Sequence, residues 1–84
     1  MSSDWQFVLN ESSVGFLLSC KARQRESLIK ALQQLAANPA QRGDYEGRDS
    51  TGRPICLKLI EGFFITYWCD NYVKELRVIR IERV

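Results

Sequence analysis

Hydrophobic positions change their rhythm twice along the 84 residues. Trp5, Phe7 and Leu9 alternate with Gln6 and Asn10, the period of two that predicts a short strand, although Val8 blurs it. Asn10, Ser12 and Ser13 offer N-caps for a helix carrying Val14, Phe16, Leu17, Leu18 and Cys20, which Gly15 weakens. Between Ala22 and Ala37 the interval becomes three and four. Leu28, Ile29, Leu32, Leu35 and Ala36 form one apolar stripe, with Arg25, Glu26, Lys30, Gln33 and Gln34 on the wet side. Asn38-Pro39 stops this helix, because proline cannot extend the hydrogen-bond ladder and its predecessor disfavours helical angles.

From Gly43 to Gly52 the chain turns to Gly, Asp, Ser and Thr around Tyr45, which predicts a short edge strand or extended loop ending in the turn Asp49-Ser50-Thr51-Gly52. Three strand-like runs follow, Ile55 to Ile60, Phe63 to Cys69 and Val73 to Glu82. The gaps Glu61-Gly62 and Asp70-Asn71-Tyr72 are short enough to join only antiparallel neighbours. The prediction is an α+β fold: two N-terminal helices packed on one face of an antiparallel β-meander, one domain over residues 1–84.

Strand alternation divides the meander into faces. Leu57 and Leu59, Phe63, Ile65 and Tyr67, and Ile79 and Ile81 form consistently apolar sets, expected to lie under the helices. The opposite face is expected to carry Ile60, Phe64, Trp68 and Val78 together with Lys58, Arg80 and Glu82, and no further helix to cover them. An uncovered apolar area rimmed by charge marks a partner surface, so these four apolar residues are the candidate partner-binding set. The alternative is that the N-terminal strand or the 42–53 loop folds over them. On a regular final strand Arg80 points away from Arg77 and Arg83, so the three arginines form no single patch.

Composition narrows the chemistry. Twelve basic and ten acidic side chains leave a net charge of +2, too balanced to decide nucleic-acid binding without clustering. Lys21, Arg23 and Arg25 are one small cluster, ordinarily a solvated turn and otherwise a nucleic-acid contact. Histidine is absent, which removes the usual general base and the commonest metal ligand. Cys20, Cys56 and Cys69 have neither a disulfide parity nor a zinc spacing and read as free thiols. No metal and no cofactor are expected. The apolar runs are too short to span a bilayer, and the N-terminus lacks a signal-peptide pattern, so no membrane association and a cytoplasmic location are expected.

The order strand, helix, helix, Gly/Pro-containing connection, meander carries a resemblance. With Lys58-Leu59, the Gly62 hairpin, Ile65-Thr66-Tyr67, Asp70 and the final Val78 to Arg83 run, the chain resembles the RelE/ParE toxin superfamily of bacterial type II toxin–antitoxin modules over almost its whole length. That resemblance implies a toxin-like component neutralised by a cognate antitoxin, acting by cleaving mRNA on the ribosome or, as in ParE-like members, by inhibiting gyrase. A non-catalytic interaction module of the same fold is the alternative, with the apolar face serving a protein partner or self-association as a homodimer. In RNA-cleaving members fixed cations stabilise the charge that develops at the phosphate, a chemistry that works without histidine. By resemblance, the catalytic candidates are Lys58, Arg80 and Arg83. Where those relatives place arginine in Gly-Tyr-Arg, this chain has Phe64 in Gly62-Phe63-Phe64. It also stops near the point where they carry further basic or aromatic residues. The implied endoribonuclease therefore has an incomplete catalytic set.

Overall fold

Residues 5–39 and 45–84 are described by a computed structural model of the chain. The element order is β1 (Gln6–Leu9), α1 (Glu11–Ser19), α2 (Ala22–Ala37), β2 (Tyr45–Arg48), β3 (Pro54–Ile60), β4 (Phe63–Asp70) and β5 (Glu75–Arg83). The α2 bounds coincide with the predicted ones. Both helix starts are capped, α1 by the Asn10 side chain, which accepts from the Ser13 N–H at 2.9 Å, and α2 by Gln24, whose side chain accepts from the Lys21 N–H at 3.4 Å. The part of the predicted 43–52 segment that precedes Tyr45 lies outside the described residues.

The five strands form one sheet in the order β1-β5-β4-β3-β2. The segment from β2 to β5 is the predicted antiparallel meander. The first strand changes the class of the sheet to mixed, because β1 lies parallel to β5 with Phe7 opposite Leu76 and Leu9 opposite Val78. The chain reaches β5 from β1 only through both helices and the strands β2 to β4, well beyond the dozen or more residues that parallel neighbours need between them. Glu61 and Gly62 both take positive φ (55° and 81°), as a two-residue primed hairpin requires. Ile60 consequently pairs with Phe63.

Helices α1 and α2 lie on one face of this sheet. Leu28, Ala31, Leu32 and Leu35 have no accessible surface and pack with Phe63, Ile65, Tyr67, Leu76, Val78 and Ile81. Burying each large side chain here contributes about 1.5–3 kcal/mol, so this layer is the main source of the fold's stability. Phe16 meets Phe63 edge-to-face with ring centroids 6.0 Å apart.

Two details reverse several expected side-chain directions. The Glu61-Gly62 turn gives Ile60 the face of Phe63, so Cys56, Lys58 and Ile60 belong to the helix side, whereas Leu57 and Leu59 stand on the open side opposite Thr66 and Phe64. On β5 the register steps from Arg80 opposite Thr66 to Val78 opposite Tyr67, which makes Ile79 an extra residue, a β-bulge. Past the bulge the alternation is inverted, and Val78, expected on the open face, is 2% exposed in the core. The bulge also puts Arg77 on the same face as Arg80, through their partners Trp68 and Thr66, while Arg83, opposite Phe63, is on the other. Asn10 secures the bulge: its side-chain amide donates to the Ile79 carbonyl at 2.7 Å while its oxygen caps α1.

Candidate functional site

The sheet face away from the helices is the open one. Across it run Tyr45 on β2, Ile55, Leu57 and Leu59 on β3, and Phe64 and Trp68 on β4, placed together by cross-strand pairing of Tyr45 with Leu57 and of Leu59 with Phe64. Tyr45 is 64% and Leu59 45% exposed, and Phe64 and Trp68 are half-buried. An apolar strip of this length on a solvent face is the signature of a surface that meets another molecule. Phe64 and Trp68 stand where the alternation of β4 puts them. Ile60 and Val78 do not belong to the strip, and Leu57, Leu59, Ile55 and Tyr45 take their place. The hairpin parity at Glu61-Gly62 was the sequence signal for that exchange.

Charges on the open face come in bound pairs. Arg80 Nε lies 3.0 Å from Glu82, and Arg77 is held by Glu75 at 2.7 Å and Asp70 at 3.5 Å. Arg53 stacks on Trp68, with its guanidinium carbon 4.2 Å from the ring centroid, and reaches Asp49 at 4.0 Å. Among the described residues of the 42–53 loop, Arg53 leans over the strip, while β1 lies beside β5 in the sheet. Arg53, Trp68, Arg77 and Ile79 also bound a cleft of about 280 Å³ that Asn10 and Val8 close at the β1 end.

Asp49 organises the β2–β3 turn that carries Arg53. Its carboxylate accepts from the Thr51 hydroxyl at 2.6 Å and from the Thr51 and Arg53 N–H groups, each at 2.9 Å. The Thr51 hydroxyl, above all, holds the carboxyl below the ordinary carboxylate range, against a smaller opposing effect of desolvation.

The helix side has a different electrical character. Among the described residues, helix positions and strand alternation assign it seven basic residues (Lys21, Arg23, Arg25, Lys30, Arg48, Lys58, Arg83) and three acidic ones (Glu11, Glu26, Glu46), a balance of 7 − 3 = +4. Of the described residues, the open face carries Arg53, Arg77 and Arg80 against Asp49, Asp70, Glu75 and Glu82, a balance of 3 − 4 = −1. Arg83 donates to Gln24 at 3.1 Å and lies over the Phe16 ring at 5.4 Å. Arg25 donates to the Cys20 carbonyl at 3.1 Å, which ties the cluster noted in the sequence to the junction of α1 and α2.

The three catalytic candidates are therefore divided: Lys58 and Arg83 share the helix side, and Arg80 stands on the open face beside Glu82. No single phosphate can sit against all three. Burial raises the Cys56 and Cys69 thiols above the ordinary cysteine value, with Glu46 adding to the shift at Cys56 and Cys56 adding to that at Cys69, which disfavours their nucleophilic thiolate forms, and Cys20 is buried in the core. Among the described residues no three of His, Cys, Asp or Glu gather as a metal site would, and no helix is long and apolar enough to cross a membrane.

No protein-family model matches the sequence, and no curated protein matches it. The fold does have a solved counterpart: a chain in the crystal structure of the intact E. coli RelBE toxin–antitoxin complex superimposes with a TM-score of 0.62 at 14% identity, over 95% of this chain and 96% of that one. The protein has a RelE-like fold, with two helices on one face of a mixed five-stranded sheet.

Proposed function

We propose that this protein is the toxin-like component of a toxin–antitoxin module and that its antitoxin docks on the open sheet face along Leu57, Leu59, Phe64 and Trp68. The observation that carries this reading is the uncovered strip itself: six large apolar or aromatic side chains on a face that no described element covers, in a fold similar to a chain of a toxin–antitoxin complex. Aromatic anchors of the Phe64 and Trp68 kind supply most of the energy in protein interfaces. Phe64 stands where RNA-cleaving relatives place an arginine, so the strip has gained apolar contact area where they hold a catalytic cation.

The experiment is expression in a bacterial host with and without the product of the adjacent reading frame. Growth arrest by the protein alone, relieved by the adjacent product, is the expected result. A Leu59→Arg variant should still arrest growth but escape relief, because it damages the docking face and leaves the core intact. Unimpaired growth on expression alone would remove the toxin reading.

A second reading, an RNA contact on the helix side, is favoured by the +4 balance there. Lys58 and Arg83, with Arg25 and Lys21 at the helix junction, would face phosphates, and Arg80 would not take part. Each phosphate neutralised releases counterions, so affinity for RNA should fall steeply with salt. Arg83→Ala and Lys58→Ala should each flatten that dependence, and Arg80→Ala should leave it unchanged.

A further inference from the structure

We infer that α1 carries an interaction surface of its own: its outward side pairs with the same side of α1 in a second copy of this chain, the two helices antiparallel across a two-fold axis. The inference stands apart from the toxin–antitoxin reading, since α1 lies across the sheet from the open strip and the pairing leaves that strip accessible.

Helix α1 buries a polar residue and presents apolar ones outward. Of its nine residues the buried one is Ser13, whereas Leu18 is 68% and Val14 40% exposed. At about 100° per residue, Glu11, Val14, Gly15 and Leu18 share the outward side at i, i+3, i+4 and i+7, the spacing with which a helix meets a neighbour. The rotation of the helix is fixed. Asn10 ties the first turn to the Ser13 N–H and to the Ile79 carbonyl, Phe16 packs edge-to-face on Phe63, and Arg25 donates to the Leu17 and Cys20 carbonyls at the far end. Rolling Leu18 inward would break all of these contacts.

Gly15 points to what meets that side. Glycine is disfavoured in a helix interior relative to alanine, and here a Cβ would touch nothing within 4 Å, so its own chain does not require the residue to be small. A second backbone passing close over α1 does. Charge selects an antiparallel copy of α1 as that neighbour. Helix α1 has Glu11 in its first turn and no basic residue in its last, while α2, which begins just past the end of α1, has no acid in its first turn and carries Lys21 at its cap. Val14 with Leu18 and Glu11 with Lys21 are both symmetric about position 16. A two-fold axis there lays each Val14 against Leu18 of the second copy and brings each Glu11 to Lys21 of the second copy, at the positive end of α2. Both contacts are made twice, as an isologous interface requires. A parallel pairing would instead set Glu11 against Glu11.

Two short helices make a small contact, so the association is weak. Sedimentation equilibrium on the purified full chain, from about 10 to 1000 µM, spans the affinities expected of it. The expected result is a mass rising from 9.7 kDa towards twice that value. Leu18→Lys should hold the mass at one chain with unchanged circular dichroism, since the side chain is exposed. Glu11→Lys and Lys21→Glu should each weaken the association by about threefold or more, and the double variant should restore it. Tyr72→Ser, at a fully exposed position on the turn between β4 and β5, should leave it intact. A mass of one chain throughout, an assembly larger than two copies, association that survives Leu18→Lys or is lost with Tyr72→Ser, or a double variant as weak as the single ones would overturn the inference.

Discussion

Asn10 does two jobs with one side chain, and the residue scale is where its cost can be read. Its oxygen caps α1 and its amide satisfies the Ile79 carbonyl that the bulge releases from the ladder. Asn10→Ala should destabilise the protein by about 1–2 kcal/mol in urea unfolding, the usual value of a lost cap. Asn10→Asp should keep the cap yet still destabilise, because a carboxylate has no proton to give the carbonyl and repels it. Asp49 is the other polar residue with a local structural task. Its depressed pKa means that its stabilisation of the turn is complete above the ordinary aspartate value and fades as pH falls through the lower folded value, below about pH 4. Protection of the Thr51 and Arg53 amides, taken against their intrinsic exchange rates at each pH, should fall in that window, and Asp49→Ala should show the lower protection already at neutral pH.

Elements divide into those that local pattern determines and those that pairing determines. Helix α2 was legible to its last residue because its period, its Asn38-Pro39 stop and its buried stripe all agree. The meander was legible too, from short gaps and β-rich runs. The faces of its strands were less so, for two physical reasons. Register across a two-residue hairpin makes the residue before the turn share a face with the residue after it, which moved Ile60 and Lys58 to the helix side and Leu57 and Leu59 away from it. Val78 was misplaced because one unpaired residue, Ile79, inverts the alternation of β5, and nothing in the run Leu76 to Ile81 distinguishes a bulged strand from a straight one. Stability measurements separate the two faces. Leu32→Ala should cost about 2–5 kcal/mol as a core truncation, whereas Leu59→Ala should fall within about 0.5 kcal/mol of the parent. Val78→Asp should prevent folding, and Phe64→Asp should not.

At the scale of the whole molecule, the sheet separates two surfaces with different uses. One is basic and helical, and the other is apolar with its charges paired. The uncovered apolar face was legible in the sequence through Phe64 and Trp68, because both lie on the unbulged β4, but its full extent required the β2–β3–β4 register. The division of Lys58 and Arg83 from Arg80 was only half legible, since a regular strand already set Arg80 against Arg83 and the hairpin parity then moved Lys58. The central claim is that the open face is the docking surface for a protein partner. Hydrogen–deuterium exchange of the chain alone and mixed with the product of the adjacent reading frame tests it directly. The account predicts new protection concentrated in β3 and β4, from Ile55 to Leu59 and from Phe64 to Trp68, with α2 unchanged. Protection confined to α1 and α2, or no complex at all, would contradict it.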